Sequence, residues 1–165
     1  MFEGLAVILG MVEPMIGAAV LVFMRIGAFV ALLPGFGEQT IPMRLRLAVV
    51  LAFTIICWPL VAPNLLGITA AFPALAVLMM IETAIGALMG LAVRLIVMAL
   101  QIAGTIAAQA TAVSQMAGVA VTPEPMPAIG NVLVLAGLAL ALAAGLPAQA
   151  VRAIAESYAV FPAGV

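Results

Sequence analysis

Long apolar runs interrupted by proline and glycine clusters make up most of this chain. The longest uninterrupted run, Ile81–Gln115, contains no proline, and as an α-helix it would extend about 50 Å, well beyond a hydrocarbon thickness of about 30 Å. Its second half carries uncharged polar residues such as Gln101 and Gln109, which a lipid-facing helix would not favour. We therefore expect this run not to be one plain membrane span. The proline-rich segment Thr122–Pro127 ends it.

Other apolar segments predict helices on both sides of this run. The segments are Pro14–Leu33, Leu47–Val61, Leu65–Met80, Asn131–Leu146 and Ala148 to about Ala159. We expect Pro14 to start the first helix, with Met1–Met11 as a surface turn or a lead-in to it. We expect Pro59 and Pro63 to belong to a return turn after the second helix. The third helix is expected to begin near Pro73 and to continue into the long run.

A loop, Leu33–Arg46, separates the first two predicted helices. It is rich in proline and glycine, and Pro42 is expected to start the second helix. Arg44 and Arg46 stand at its end, where basic residues mark the cytoplasmic side of a membrane. This pattern places the loop inside the cell and the N-terminus outside.

The composition is that of a membrane protein. Hydrophobic residues make up 68% of the chain and charged residues 7%, against roughly 25% charged in average soluble domains, and the mean hydropathy is +1.43. The net charge of −1 provides no basic patch for nucleic acid. Histidine, aspartate and lysine are absent and Cys57 is the only cysteine. We therefore expect no disulfide, no metal or other cofactor and no enzymatic acid–base site.

The first predicted span and the long run contain three charged residues. Arg25 lies in the middle of the first predicted span, where a charge costs at least about 2.5 kcal/mol on insertion scales. It is either a functional charge or half of a buried ion pair that fixes helix packing, and both interpretations stay open. Glu82 and Arg94 lie roughly 120° apart around the long helix and more than three turns apart along it, so they cannot pair with each other. Each is expected to find a partner elsewhere in the chain or on another subunit.

Small residues recur on the same helix as these charges. Glu82, Gly86, Gly90 and Arg94 follow one another at intervals of four, and a glycine pair at this spacing lets another helix backbone approach closely. Gln101 falls on nearly the same face as Arg94. This stripe is expected to face protein or a wet interior.

The segment Gln109–Pro127 differs from the helices around it. It is rich in small and uncharged polar residues and ends in alternating prolines, which favour extended or turn structure. It is either a connecting loop outside the membrane or a re-entrant segment that occupies a conduit, because irregular backbone at membrane depth is tolerated only in protein or along a cavity.

Several short motifs occur in an order that resembles one family of membrane proteins. They are Met24–Ala28, Leu33–Ala48 with its Ile41-Pro42-Met43-Arg44-Leu45-Arg46 sequence, Glu82–Gly90, Gln101–Gly104, Gln109, Pro125–Pro127, Gly145-Leu146 and Ser157–Gly164. Taken in this order they resemble the FliR family, the flagellar members of the FliR/SctT type III export-gate proteins. The resemblance covers nearly the whole chain.

The resemblance implies an all-α polytopic membrane protein of about five hydrophobic helices, arranged as helical hairpins with a pore-facing loop. It implies a single domain over residues 1–165 that corresponds to the N-terminal two-thirds of the family's length, so we expect the chain to be truncated at its C-terminus. The implied role is a non-enzymatic subunit of the flagellar export gate, in the bacterial inner membrane and the flagellar basal body. The implied partners are FliP-like, FliQ-like and FlhB-like subunits, exported unfolded proteins and the lipid bilayer.

The resemblance also implies which residues carry the function. The family's plug loop maps onto about Ala110–Thr122, and the candidate plug residues are Thr111, Ser114, Gln115, Met116, Ala117, Gly118 and Val119. Methionine is suited to a seal because its flexible side chain fills irregular gaps. The candidate residues for intramembrane charge and helix packing are Arg25, Glu82, Gly86, Gly90, Arg94, Gln101 and Gly104.

The alternative function is that of a transporter subunit for ions or small solutes. Intramembrane charges are typical of subunits that transport ions or small solutes. Arg25, Glu82 and Arg94 would then line a pathway for the solute. Solute flux through this chain alone would favour that alternative over the export gate.

Overall fold

The chain is helical in every range that the computed structural model describes, apart from short turns. The described ranges are residues 2–37, 41–65, 72–110 and 128–163. The helices are α1 (Phe2–Leu32), α2 (Met43–Leu65), α3 (Phe72–Ala110), α4 (Ala128–Ala143) and α5 (Leu146–Val160). The predicted all-α class is confirmed.

Three of these helices are long and apolar enough to cross a membrane. The candidate spans are Pro14–Leu32, Met43–Pro63 and Pro73–Gln109, and the broken pair Gly130–Ala143 and Leu146–Val160 would make a fourth if it counts as one span. Their exposed surfaces are largely aliphatic, as lipid requires. The chain is therefore a polytopic membrane protein.

The predicted helix start at Pro14 is wrong. α1 begins at Phe2 and runs through Pro14 without a break, so the segment before Pro14 is a helical lead-in and not a surface turn. A proline fixes φ near the helical value, but it removes its own N–H from the hydrogen-bond ladder and crowds the carbonyl four residues earlier. Apolar helices of membrane proteins tolerate this, because neighbouring groups satisfy the backbone that is freed.

The predicted return turn at Pro59 and Pro63 is also wrong, because α2 continues through both prolines to Leu65. Val61 and Leu65 are almost completely buried, and this packing holds the last turns in place. Proline is tolerated in apolar helices of membrane proteins, where neighbouring groups satisfy the backbone that it frees. The predicted start of α2 after Pro42 agrees with the structure.

The described part of the long run lies in one helix that contains no break. α3 starts at Phe72, next to Pro73, and its 39 residues extend about 58 Å at the α-helical rise. Its polar half is helical as far as Ala110. The predicted run beyond that point, from Thr111 to Gln115, lies outside the described residues.

Gly145 separates the last two helices. Its φ of 80° is a left-handed conformation that suits glycine at the end of a helix. The sequence predicts this stop, although α4 ends at Ala143 and α5 already starts at Leu146. Pro147 is then the second residue of α5, close to the start of the helix where proline is tolerated.

The chain divides into two compact units. The first unit consists of Met1–Leu91 and Ala148–Val165, and the second of Ala92–Pro147. In the first unit α1 packs along α2. The core of the first unit consists of fully or almost fully buried aliphatic residues, among them Leu21, Val22, Ile26, Val30, Val61, Leu65 and Ile154.

Glycines let α1 and α3 touch within the first unit. A Cβ atom at Gly86 would overlap the carbonyl oxygen of Arg25, and one at Gly90 would lie 2.7 Å from the carbonyl oxygen of Phe29. Residue numbers rise together along the two helices, so α1 and α3 run parallel. The spacing of four between the glycines therefore produces the close helix contact that it predicts.

Small residues also lie between the helices of the second unit. Gly104 and Ala108 are buried on the second half of α3. A Cβ atom at Gly137 of α4 would lie 3.3 Å from a methyl group of Leu100, and one at Gly130 would lie 3.6 Å from the carbonyl oxygen of Gln101. These contacts place α4 against the second half of α3.

The variant Gly86→Ala tests the contact between α1 and α3. Overpacking of this kind costs about 1–3 kcal/mol, so thermal unfolding in detergent should shift to lower temperature. Gly17→Ala is the matched control, because a Cβ there meets nothing within 4 Å and alanine favours a helix by about 0.5–1 kcal/mol. Equal shifts for the two variants would contradict the close approach.

Candidate functional site

A buried ion pair connects α1 to α3 in the first unit. The guanidinium of Arg25 donates from Nε to Oε2 of Glu82 at 2.5 Å and from Nη2 to Oε1 at 3.0 Å. Both side chains are shielded from solvent almost completely. Two parallel N–H···O bonds between a planar guanidinium and a carboxylate form the strongest side-chain pairing available to arginine.

The same guanidinium also binds the C-terminal part of the chain. Its Nη1 donates to the hydroxyl oxygen of Ser157 at 2.9 Å, and its Nη2 donates to the carbonyl oxygen of Phe161 at 3.0 Å. With the two bonds to Glu82, four of the five N–H groups of Arg25 have partners within the described ranges. The arginine therefore holds α1, α3 and α5 together.

Tyr158 completes this group of residues. The centroid of its ring lies 3.6 Å from the Cζ of Arg25, a distance at which a guanidinium is attracted to the face of an aromatic ring. Its hydroxyl donates to Oε2 of Glu82 at 3.3 Å. One tyrosine thus contacts both members of the ion pair. We call Arg25, Glu82, Ser157, Tyr158 and the Phe161 carbonyl the Arg25 cluster.

The Arg25 cluster satisfies its own hydrogen-bonding groups. Ser157 donates to the carbonyl oxygen of Ile154 at 2.6 Å while it accepts from Arg25. Among the described residues, every buried side-chain nitrogen or oxygen has a partner. Removal of one charge from such a pair leaves the other buried and uncompensated, which costs about 3–5 kcal/mol.

Local sequence explains why these side chains meet. Leu21, Val22, Arg25, Ile26 and Phe29 are buried along one face of α1, so Arg25 occupies a core position of that helix. Glu82 stands one helical turn before Gly86, whose contact with the Arg25 backbone brings the helices close enough for a short ion pair.

The residues of α5 that belong to the Arg25 cluster lie on one face of their helix, as Arg25 does on α1. Ile154, Ser157 and Tyr158 lie at i, i+3 and i+4 and are buried together, so they share one face of α5. Phe161 follows the helix end, where its N–H binds the Ser157 carbonyl at 2.8 Å. This last turn positions the Phe161 carbonyl towards Arg25.

The polar groups of the Arg25 cluster hold the protein structure together. Each polar group of the Arg25 cluster is bound to another group of the chain, and a bound carboxylate is poorly placed to transfer protons to a substrate. Within the described ranges no three metal-ligating side chains come together. The cluster is therefore suited to fix helix positions inside an apolar environment.

The structure distributes the other predicted residues over both units. Gly86 and Gly90 lie against α1, next to the Arg25 cluster. In the second unit, Arg94 is exposed, Gln101 is half-buried and Gly104 is buried. These three residues are not members of the cluster.

The candidate plug residues lie outside the described residues; they are Thr111, Ser114, Gln115, Met116, Ala117, Gly118 and Val119. The roles of Ser157, Tyr158 and the Phe161 carbonyl were not predicted. Ser157 and Tyr158 lie three and four residues after Ile154, a spacing that indicates one buried helix face and could have identified these two side chains.

Comparison with known proteins gives one family. Residues 16–165 match the bacterial export proteins, family 1. The chain is 34% identical over 145 residues to the flagellar biosynthetic protein FliR of Caulobacter vibrioides (strain ATCC 19089 / CIP 103742 / CB 15). The aligned region covers 87% of this chain and 58% of that relative. The chain thus spans less than two thirds of the relative's length, and no solved structure matches it significantly.

The variant Glu82→Gln tests the ion pair. It keeps the shape of the side chain but leaves Arg25 buried without a counter-charge, and we expect a loss of about 3 kcal/mol or more in unfolding free energy. Glu156→Gln is the matched control, because Glu156 is exposed on α5 and surface changes stay within about 0.5 kcal/mol. The measurement is thermal unfolding in detergent. Equal stabilities of the two variants would disprove the Arg25–Glu82 ion pair.

Proposed function

Because this chain belongs to the bacterial export proteins, family 1, we propose that it acts as a non-enzymatic subunit of the flagellar protein-export gate. Its place would be in the bacterial inner membrane, at the flagellar basal body. We further propose that it assembles with FliP-like, FliQ-like and FlhB-like membrane subunits. The substrates would be unfolded flagellar proteins that pass through the assembled gate.

The observation that carries this proposal is the sequence match. It extends from residue 16 to residue 165, and the matching relative is named a flagellar biosynthetic protein. The three candidate membrane spans support a membrane subunit. A family match of this extent favours the same general role, while the role in gate assembly is our inference.

The Arg25 cluster also supports a structural role. Arg25 and Glu82 bind each other and two residues of α5, Ser157 and Tyr158. A transporter that used these charges for a solute would need them to face a pathway. The alternative as a solute or ion transporter therefore loses two of its three proposed charges.

Co-assembly tests the proposal directly. We expect the tagged chain, co-expressed with FliP-like and FliQ-like subunits, to recover both in an affinity pull-down, with a native mass that corresponds to one complex. The full-length Caulobacter FliR with the same subunits is the positive control. Recovery of the subunits by that control but not by this chain would refute the proposal for this chain.

We also propose that Thr111–Val119 closes the pore of the assembled gate. The segment follows α3 in the sequence and consists of small or uncharged residues, with Val113, Met116 and Val119 as the larger apolar side chains. Such a segment can fill a conduit without binding the exported chain chemically.

Deletion of Met116–Val119 tests the closing role. Vesicles with the assembled deletion variant should become permeable to small solutes, whereas Met116→Leu, which keeps an apolar side chain of similar volume, should leave them tight. The pull-down confirms that both variants assemble. Unchanged permeability of the deletion variant would mean that the segment only connects two helices.

A further inference from the structure

Arg94 is an exposed charge on an apolar helix. The Pro73–Gln109 span contains two charged residues, Glu82 and Arg94. Glu82 is buried and bound to Arg25, whereas Arg94 is exposed. Within the described ranges, Arg94 has no ion pair and no hydrogen bond from its side chain. Its charge thus lacks the compensation that the structure gives to Arg25.

The helix around Arg94 is sparsely covered. In an apolar stretch of 18 residues within each candidate span, the buried share of residues is 11% for Pro73–Gln109, against 39% for Pro14–Leu32 and 22% for Met43–Pro63. Leu95 and Ile102 expose 54% and 60% of their surface. Lipid could cover such aliphatic side chains, so their exposure by itself indicates no protein partner.

The charge of Arg94, in contrast to these aliphatic side chains, does indicate a protein partner. Leu95, Met98 and Ile102 follow at i, i+3 and i+7, which is the spacing of residues that meet a second helix along one stripe. Arg94 lies at the edge of this stripe, next to Leu95 and one turn before Met98. An arginine in hydrocarbon is expensive unless a counter-charge meets it, and the planar guanidinium matches a carboxylate best.

We propose that the Arg94 stripe, formed by Arg94, Leu95, Met98 and Ile102, is covered by a helix of a neighbouring membrane subunit that places an Asp or Glu carboxylate on Arg94. This inference rests on the proposed function, because it names the chemistry of one contact in the assembled gate. The Arg25–Glu82 pair shows that this chain already joins helices by the same chemistry. The partner helix would be apolar, with one acidic residue among aliphatic ones.

Pull-downs with charge variants test the inference. Arg94→Met suits lipid better than arginine, so it should leave recovery of the FliP-like and FliQ-like subunits unchanged if the side chain faces lipid. If a partner carboxylate binds it, the variant leaves that carboxylate unpaired, and recovery should fall at least about tenfold. Arg152→Met, at an exposed arginine of α5, is the matched control and should assemble like wild type.

Two further measurements identify the cause of a reduced recovery in the pull-down. Thermal unfolding of the isolated chain should be the same for Arg94→Met and wild type, because the side chain is exposed. Arg94→Glu should abolish recovery, and an Asp or Glu→Arg change on the partner helix should restore it. Restoration by a charge exchange is not expected from a variant that merely fails to fold.

The outcomes separate this inference from the proposed function. Failure of the wild-type chain to assemble would refute both. Assembly of wild type together with undiminished assembly of Arg94→Met would refute this inference alone and place Arg94 in water or among lipid headgroups. A Glu→Gln change at Glu3, Glu13, Glu38 or Glu124 of this chain that reproduces the Arg94→Met loss would also refute it, because the carboxylate would then be internal.

Discussion

A guanidinium buried among apolar helices requires a partner for its charge and for its N–H groups, and Arg25 obtains both from its own chain. Glu82 compensates the charge, while Ser157 and the Phe161 carbonyl accept further hydrogen bonds. These groups come from three helices or their ends, so the requirement fixes α1, α3 and α5 relative to one another. Apolar packing alone tolerates small sliding movements, but a bidentate ion pair has one favourable geometry.

The helix packing around the pair depends on this geometry. Gly86 and Gly90 bring the backbones of α1 and α3 into contact, and without that contact the Glu82 carboxylate would stay too far from Arg25 for a short bond. The two features therefore support each other: the glycines allow the ion pair, and the ion pair selects the register in which the glycines meet α1. Tyr158 then covers the pair from α5.

The sequence predicts the helices well, because apolar runs of this length have few alternatives in a membrane. It places the start of α3 near Pro73 and the break at Gly145 correctly. It fails at Pro14, Pro59 and Pro63, because proline breaks most helices in water but is tolerated in the apolar helices of membrane proteins. Local sequence contains no information about the tertiary contacts that decide such cases.

The candidate site was predictable only in part for the same reason. Periodicity shows that Glu82 and Arg94 cannot bind each other and that the glycines lie on one face. It does not show that Arg25, far away in the sequence, is the partner of Glu82, nor that α5 supplies Ser157 and Tyr158. Those contacts depend on which helices become neighbours, and the close approach at Gly86 determines this only in three dimensions.

A double-mutant cycle on Arg25 and Glu82 measures directly whether their ion pair holds α1 and α3 together. The free energy of unfolding in detergent would be measured for wild type, Arg25→Met, Glu82→Met and the double variant. We expect the double variant to be more stable than the sum of the two single losses implies, with a coupling of about 2–3 kcal/mol, because the second substitution removes a charge that the first left unpaired. Additive losses would show that the two residues act independently and that their ion pair does not hold α1 and α3 together.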